Sequence, residues 1–318
     1  MLQDTLFLLV GFAGLLFGAE QLVKGAARLA DRLGISALVI GLTVVAFGTS
    51  MPEQVISLIA ALNDSSDIAV GNVIGSNFFN IALILGVAGV IFPIAIDSQL
   101  VRRDLPILIG VSLIAYLFAF TGERISRPEG GILFAGVLAF TWLSYRLAGD
   151  EPEAVQQEGV AAEADRLAAQ TPAWQEVVRL VVGVVILVIG ANLAVEGATG
   201  LARAAGVSER VIGLTLVAAG TSLPELATSV MAALRKAPDI AIGNVIGSNI
   251  FNLTSILGLT ALVQPIPVSA DFLRLDFPIM LAITILLVPL FMDRKLQRAE
   301  AGLCLALFAG YMGFLFAR

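Results

Sequence analysis

The chain has 318 residues, of which 58% are hydrophobic and 14% charged, and its mean hydropathy is +0.93. These values exclude an ordinary soluble protein and indicate insertion into a membrane. The net charge is -6. Nucleic-acid binding has no support, because the basic residues are scattered along the chain rather than gathered into a patch. The absence of His excludes His-based zinc sites, His general bases and His proton relays.

Apolar runs long enough to cross a bilayer, which takes about 20 residues, occur five times on each side of a polar linker. The first five lie at 5–27, 37–62, 68–93, 104–121 and 129–147. The second five lie at 174–200, 209–234, 240–264, 275–293 and 299–317. The sequence therefore predicts an all-α membrane protein with an N-terminal five-helix repeat (1–147), an acidic linker (148–173) and a C-terminal five-helix repeat (174–318).

The orientation of the spans follows from the basic residues. An odd number of spans per repeat turns the second copy upside down relative to the first. With the N-terminus outside, 13 of the 19 Lys and Arg residues fall at inner loops and helix ends, and six fall at outer ones. This distribution satisfies the positive-inside rule. We therefore expect extracellular termini and a cytoplasmic linker, with the protein in the plasma membrane.

One segment of the chain occurs twice. Residues 41–86 and 213–258 align without a gap at an offset of 172, with 29 identities in 46 positions. Each copy places a carboxylate directly after a proline, as Glu53 and Glu225. A charge in hydrocarbon costs at least ~2.5–3.5 kcal/mol, so intramembrane carboxylates indicate function. Two of them related by an internal repeat predict a cation site.

The proline in each copy predicts a broken helix. Pro52 has no N–H, so the carbonyl of Gly48 loses its helical partner. Such a break survives in a membrane only where the freed groups face protein, water or a ligand. Backbone carbonyls, the hydroxyls of Thr49 and Ser50, and the Glu53 carboxylate then gather within about one turn, and hard cations prefer such oxygen ligands. The second copy repeats this arrangement.

A second motif in each copy places a hydroxyl and an amide on one helix face. Ser76 and Asn80 are four residues apart, as are Ser248 and Asn252. Hydrogen bonding between helices is the alternative role for these side chains. Their duplication beside two carboxylates favours the ion site.

The sequences at 48–53 (GTSMPE), 71–80 (GNVIGSNFFN), 220–225 (GTSLPE) and 243–252 (GNVIGSNIFN) closely resemble the α-repeats of the calcium/cation antiporter superfamily. Within it, the chain is similar to prokaryotic sodium/calcium exchangers. The resemblance implies ten transmembrane helices in a 5+5 inverted repeat, with broken helices in spans 2, 3, 7 and 8 forming the ion site. It implies exchange of Na⁺ for Ca²⁺ by alternating access, electrogenic at 3 Na⁺ to 1 Ca²⁺.

Carried over by position, the resemblance implies that Glu53, Glu225 and the carbonyls of Thr49 and Thr221 bind calcium. The implied sodium ligands are Ala46, Ser50, Ser76, Asn80, Ala218, Ser222, Ser248 and Asn252. The transported ions and the membrane lipid are then the partners. We expect no enzymatic activity, no cofactor and no protein partner, and a monomer is compatible with this interpretation.

Two alternatives stay open at the level of sequence. Potassium-dependent relatives carry Asp where this chain has Asn252, and proton-coupled relatives have an acidic residue within the motif that here reads Gly75-Ser76. Both features favour sodium coupling over a proton- or potassium-coupled exchanger. A passive cation channel with the same oxygen-lined pathway is the other alternative, although broken helices at a repeat interface favour a transporter.

Overall fold

The structure is a computed structural model that describes residues 1–147, 172–206 and 218–317. Within these ranges, eight helices are long and apolar enough to cross a membrane, and a bent helix pair makes up to nine. The predicted span 209–234 is described only from 218 onward. Most of the predicted linker lies outside the described residues. The chain is therefore a multi-pass membrane protein, and every described helix falls on a predicted span.

The helices of the first half are α1 Leu2–Leu33, α2 Ala37–Thr49, α3 Met51–Leu62, α4 Ser66–Ile91, α5 Leu100–Gly122 and α6 Arg127–Leu147. Those of the second half are α7 Ala173–Ala204, α8 Ala218–Gly220, α9 Leu223–Leu234, α10 Pro238–Val263, α11 Phe272–Leu290 and α12 Arg298–Ala317. The short strands are β1 Ile94–Ala95, β2 Arg124–Ile125, β3 Ile266–Pro267 and β4 Lys295–Leu296.

The strands show how the two halves are related. β1 pairs with β4 and β2 pairs with β3, both antiparallel. Ile94 lies opposite Leu296, and Arg124 lies opposite Pro267. β1 corresponds to β3 at the offset of 172 and β2 corresponds to β4 at an offset of 171, so each pairing joins one half to the other in a reciprocal way. This reciprocity is that of an approximate two-fold axis between the halves.

The same turn connects corresponding helices in both halves although the residues differ. Asp64 and Lys236 both adopt φ 56° in the left-handed region. The N–H of each bonds to a carbonyl three residues earlier, at 3.1 Å. The next residue's N–H bonds to a carbonyl five residues back, at 2.8 Å in the first half and 2.9 Å in the second. The same two backbone hydrogen bonds therefore stabilise this turn in both halves, although neither position has the glycine that the conformation favours.

The long helices α1 and α7 lie against each other through glycines. A Cβ at Gly18 would lie 2.8 Å from the carbonyl oxygen of Gly183, and one at Gly190 would lie 2.8 Å from the N of Leu15. Such distances leave no space for a side chain, so the glycines allow the two backbones to touch, as small residues do in membrane helix pairs.

The corresponding helices α4 and α10 differ in their surroundings. In α10, 89% of the spanning window is buried, against 67% in α4. α10 contacts α2, since a Cβ at Gly243 would lie 2.9 Å from the carbonyl oxygen of Leu38. The helix that carries the second Ser and Asn motif is therefore the most buried of the described spanning helices.

Candidate functional site

The predicted helix breaks lie at two serines. Ser50, at φ -83° and ψ 5°, separates α2 from α3, and the two helices are bent by 45°. Ser222, at φ -89° and ψ 7°, precedes α9 in the same way. Pro52 and Pro224 lie in the first turn after each break, where a missing N–H costs no helical hydrogen bond. Each proline therefore occupies the second position of a new helix that starts directly after the serine.

The two carboxylates are buried beside these breaks. Glu53 and Glu225 are each 1% exposed and lie in the first turns of α3 and α9. Each accepts a hydrogen bond from the serine at the break of the other half. The Oγ of Ser50 lies 3.0 Å from Oε1 of Glu225, and the Oγ of Ser222 lies 3.2 Å from Oε1 of Glu53. The repeat therefore builds one site from both halves.

The second oxygen of each carboxylate is buried and accepts no hydrogen bond from any described residue. Unpaired polar atoms are costly to bury, and an unpaired ionised carboxylate is especially so. Oxygen ligands of this kind suit Na⁺ and Ca²⁺. No group of three or more His, Cys, Asp or Glu side chains that could hold a metal ion occurs in the described ranges. The negative charge available to a cation here comes from these two glutamates.

Two asparagines, Asn72 and Asn244, hold the glutamate helices in place. Asn72 donates from Nδ2 to the carbonyl of Glu53 at 3.1 Å and to Oγ of Ser57 at 2.8 Å. Its Oδ1 accepts from Oγ1 of Thr221 at 3.5 Å. Asn72 therefore links the carboxylate helix of its own half to the break of the other half.

The second half repeats these contacts. Asn244 donates to the carbonyl of Glu225 at 3.3 Å and to Oγ of Ser229 at 3.0 Å. It accepts from Oγ1 of Thr49 at 3.0 Å. These hydrogen bonds occupy both threonine hydroxyls. The threonine groups that the resemblance assigns to calcium are the backbone carbonyls.

Four further asparagines join α4 to α10 at the centre, and we call them the asparagine cluster: Asn77, Asn80, Asn249 and Asn252. Asn80 donates from Nδ2 to Oδ1 of Asn249, and Asn252 donates to Oδ1 of Asn77, both at 2.9 Å. Both donors are buried, and their own Oδ1 atoms have no partner among the described residues. Each half therefore contributes one buried amide oxygen that could face a cation.

The interruption predicted in spans 3 and 8 is a π-helical turn. It covers Asn80–Ile84 in α4 and Asn252–Ile256 in α10, so both helices continue beyond it. π-helical turns inside α-helices occur frequently at functional sites. The two asparagines expected at the sodium sites therefore begin the two irregular turns.

The other predicted site residues are placed as follows. Ser76 is buried and its Oγ lies 3.3 Å from that of Ser222. Ser248 is buried, and its hydroxyl has no partner in the part of the chain that the structure describes. The carbonyl of Ala46 accepts from the N of Ser50 at 3.0 Å and from Oγ1 of Thr49 at 3.3 Å. Ala218 begins α8, but its side chain lies outside the described residues.

Sequence reasoning missed the asparagines that position the site. Asn72, Asn77 and their counterparts Asn244 and Asn249 lie inside the repeat and are identical in both copies. Their duplication could have identified them, since duplication was also the reason to select Ser76 and Asn80 as candidate site residues. The contacts that give these asparagines a role become visible only when the two halves are docked.

Comparison with known proteins finds similarity along almost the whole chain. A family model described as sodium/calcium exchanger protein matches residues 4–146 and 176–317. An antiporter candidate, CaxA of Alkalimonas amylolytica, is 38% identical over 325 positions that cover 100% of both chains. The sodium/calcium exchanger MaX1 of Methanosarcina acetivorans is 33% identical over 345 positions that cover 98% of each chain.

A solved structure has the same fold. The sodium-calcium exchanger NCX_Mj, in a structure soaked with zero Na⁺ and Ca²⁺, superposes with a TM-score of 0.84 at 30% identity. The match covers 98% of this chain and 99% of that chain. The predicted all-α membrane fold, a five-plus-five inverted repeat, is confirmed.

Proposed function

Since the chain belongs to the sodium/calcium exchanger family, we propose that it exchanges Na⁺ for Ca²⁺ across the plasma membrane as a secondary antiporter with alternating access. The family is one of transporters rather than enzymes. One observation carries the proposal for this chain. Two buried glutamates, one from each half, each keep one oxygen without a partner among the described residues at the breaks of the repeat.

In the proposed calcium site, Glu53 and Glu225 bind the ion together with the carbonyls of Thr49 and Thr221. The two carboxylates supply a charge of -2, which balances one Ca²⁺. The contacts that support this set are the serine hydroxyls at 3.0 and 3.2 Å, which hold one oxygen of each glutamate and leave the other without a partner among the described residues. Holding ligand oxygens before the ion arrives reduces the ordering cost of binding.

The proposed sodium ligands surround the same glutamates: Ala46, Ser50, Ser76, Asn80, Ala218, Ser222, Ser248 and Asn252. The unpartnered oxygens of Asn80, Asn252 and Ser248 support this assignment. Ser50 and Ser222 support it because each already contacts a glutamate. Sodium ions bound there would share ligands with calcium, so the two kinds of ion would exclude each other, as exchange requires.

The stoichiometry in the proposal is three Na⁺ for one Ca²⁺. Against two carboxylates, three sodium ions leave a net charge of +1 and one calcium ion leaves none. One positive charge then crosses per cycle, which is worth ~2.3 kcal/mol per 100 mV of membrane potential. Exchange would therefore respond to voltage.

The experiment is calcium uptake into proteoliposomes driven by an outward sodium gradient. Glu53→Gln and Glu225→Gln should each abolish the flux while the protein still inserts, because calcium loses a charged ligand and an amide is no harder to bury. Glu196→Gln is the matched control, since Glu196 is an exposed glutamate of α7. Near wild-type flux in either site variant would refute the shared-ligand assignment.

The same vesicles distinguish the alternatives. Uptake driven by a proton or potassium gradient without sodium would indicate a different coupling ion. Calcium flux without any counter-ion would indicate a channel. Uptake that follows the sodium gradient at fixed pH without potassium would support the proposal.

A further inference from the structure

Next to the transport site, a polar pair occurs in one half of the molecule only. The Oγ of Ser255 in α10 donates to Oε1 of Gln54 in α3 at 3.2 Å. The other end of the Gln54 amide, Nε2, is buried and has no hydrogen-bond partner among the described residues. Leaving a buried polar atom unsatisfied is costly, and more so in a membrane, where hydrocarbon offers it no partner. The buried Nε2 donor needs an acceptor, which a water molecule beside it would supply.

A small cavity lies beside this pair and reaches the transport site. It is lined by Phe47, Ser50, Met51, Gln54, Phe251, Ser255 and Ile256, and its volume is about 10 Å³. That volume is close to the minimum needed to hold one water molecule. Ser50 is also the residue whose hydroxyl bonds to Glu225 at 3.0 Å. The cavity therefore places the Gln54 amide and a proposed ion ligand around a space for about one water molecule.

The corresponding wall of the other half is apolar. At the offset of 172, Gln54 corresponds to Leu226 and Ser255 corresponds to Leu83. Ser50 and Phe251 correspond to Ser222 and Phe79, so the serine at the break and one aromatic residue are kept. The second aromatic residue, Phe47, corresponds to Ala219, and the amide of Gln54 and the hydroxyl of Ser255 are lost. The repeat is thus asymmetric at Gln54 and Ser255, two of the three polar residues that line the cavity.

We propose that Gln54 and Ser255 form a one-sided entrance through which a partly hydrated cation reaches Ser50 and the glutamates. This inference rests on the proposed exchange function. Gln54, Ser255 and Ser50 supply neutral oxygens that replace water ligands without holding the ion tightly, as a conducting step requires. In the predicted orientation α3 runs outward from the break at Ser50, and α10 runs outward through its π-helical turn, so the entrance faces the outside.

Thiol labelling tests the entrance without any transport measurement. The single native cysteine, Cys304, is buried and serves as the low-reactivity background. Gln54→Cys should react with a membrane-impermeant cationic thiol reagent added outside and not with the same reagent added inside. Leu226→Cys, its repeat counterpart, is the matched control and should react from neither side. Absence of labelling at position 54, labelling from both sides, or equal labelling at both positions would overturn the proposal.

Transport measured from each side gives the second test. Gln54→Leu, which installs the residue of the other half, should raise the half-saturating cation concentration on the outer face by roughly 3- to 10-fold, the effect of one lost neutral interaction. The inner face should keep its wild-type value. Equal shifts on both faces, or none, would show that Gln54 only joins helices. Wild-type protein that fails to exchange ions would refute the proposed function instead, and the labelling result would still decide whether the entrance exists.

Discussion

Replacing Asn252 by Asp tests how the asparagine cluster limits the charge of the site. In the structure, Nδ2 of Asn252 donates to Oδ1 of Asn77 at 2.9 Å. An ionised Asp has no donor, so two acceptor oxygens would face each other across the same distance. The new carboxylate would also add a third negative charge near Glu53 and Glu225. A proton or an additional cation would relieve both effects.

The size of the effect follows from the hydrogen bond that is lost. Leaving a buried acceptor such as Oδ1 of Asn77 unsatisfied costs about 1–3 kcal/mol, which corresponds to roughly 5- to 150-fold in an equilibrium. A protonated Asp donates the hydrogen bond again and resembles the amide. Exchange by Asn252→Asp should therefore approach that of wild type at low pH. It should fall by a factor in this range at high pH, unless potassium replaces the proton.

The assay is sodium-driven calcium uptake into proteoliposomes across a pH series, with and without potassium on each face. Asn80→Asp is the matched comparison, because Asn80 donates to Oδ1 of Asn249 at the same 2.9 Å. A pH profile in either variant that runs parallel to wild type, with no response to potassium, would refute the reasoning. Strict potassium dependence of the unmodified protein would contradict the potassium-independent assignment while leaving cation exchange in place.

Two other predictions concern topology and packing. Cysteines at Asp64 and Ala237, in corresponding turns of the two halves, should label with an impermeant reagent from outside and inside respectively; labelling from one side would contradict the predicted orientation. Gly243→Ala should lower stability by about 1–3 kcal/mol, because its Cβ would lie 2.9 Å from backbone atoms of α2. Gly71→Ala should cost less, since it meets only the movable ring of Phe272 at 3.3 Å; thermal unfolding in detergent that ranks the two variants in reverse would contradict this.

The spans and the breaks could be predicted because their causes are local in sequence. Apolar length determines where a helix can cross the bilayer, and the described helix from Ser66 to Ile91 agrees with the predicted run 68–93 to within two residues at each end. Proline also predicts that a helix is interrupted nearby. It does not determine the position of the break, which the structure places at Ser50 because Pro52 is favourable in the first turn of the following helix.

The contacts between the halves could not be predicted, because they depend on how the halves dock. Ser50 and Glu225 are 175 residues apart, and no local pattern connects them. The same holds for Asn72, whose amide reaches Ser57 and Glu53 in its own half and Thr221 in the other. The sequence nevertheless contains the symmetry of these contacts, since each has a counterpart at the offset of 172.

An approximate two-fold axis through the site, combined with unequal surroundings, is what alternating access would require. If the halves were in identical conformations, the pathway would be the same on both sides and could not be open on one side only. Here 89% of the spanning window of α10 is buried, against 67% in its counterpart α4, so the two helices are not in equivalent environments. Exchanging the environments of α4 and α10 would produce a second state that faces the other side, with the same kinds of contact at the glutamates. Such an exchange would keep the ligand set of Glu53 and Glu225 but not the surroundings of Gln54, which has leucine as its counterpart. The two states would therefore bind the ions with similar groups, but the ions would leave past a polar side chain in one state and past an apolar one in the other.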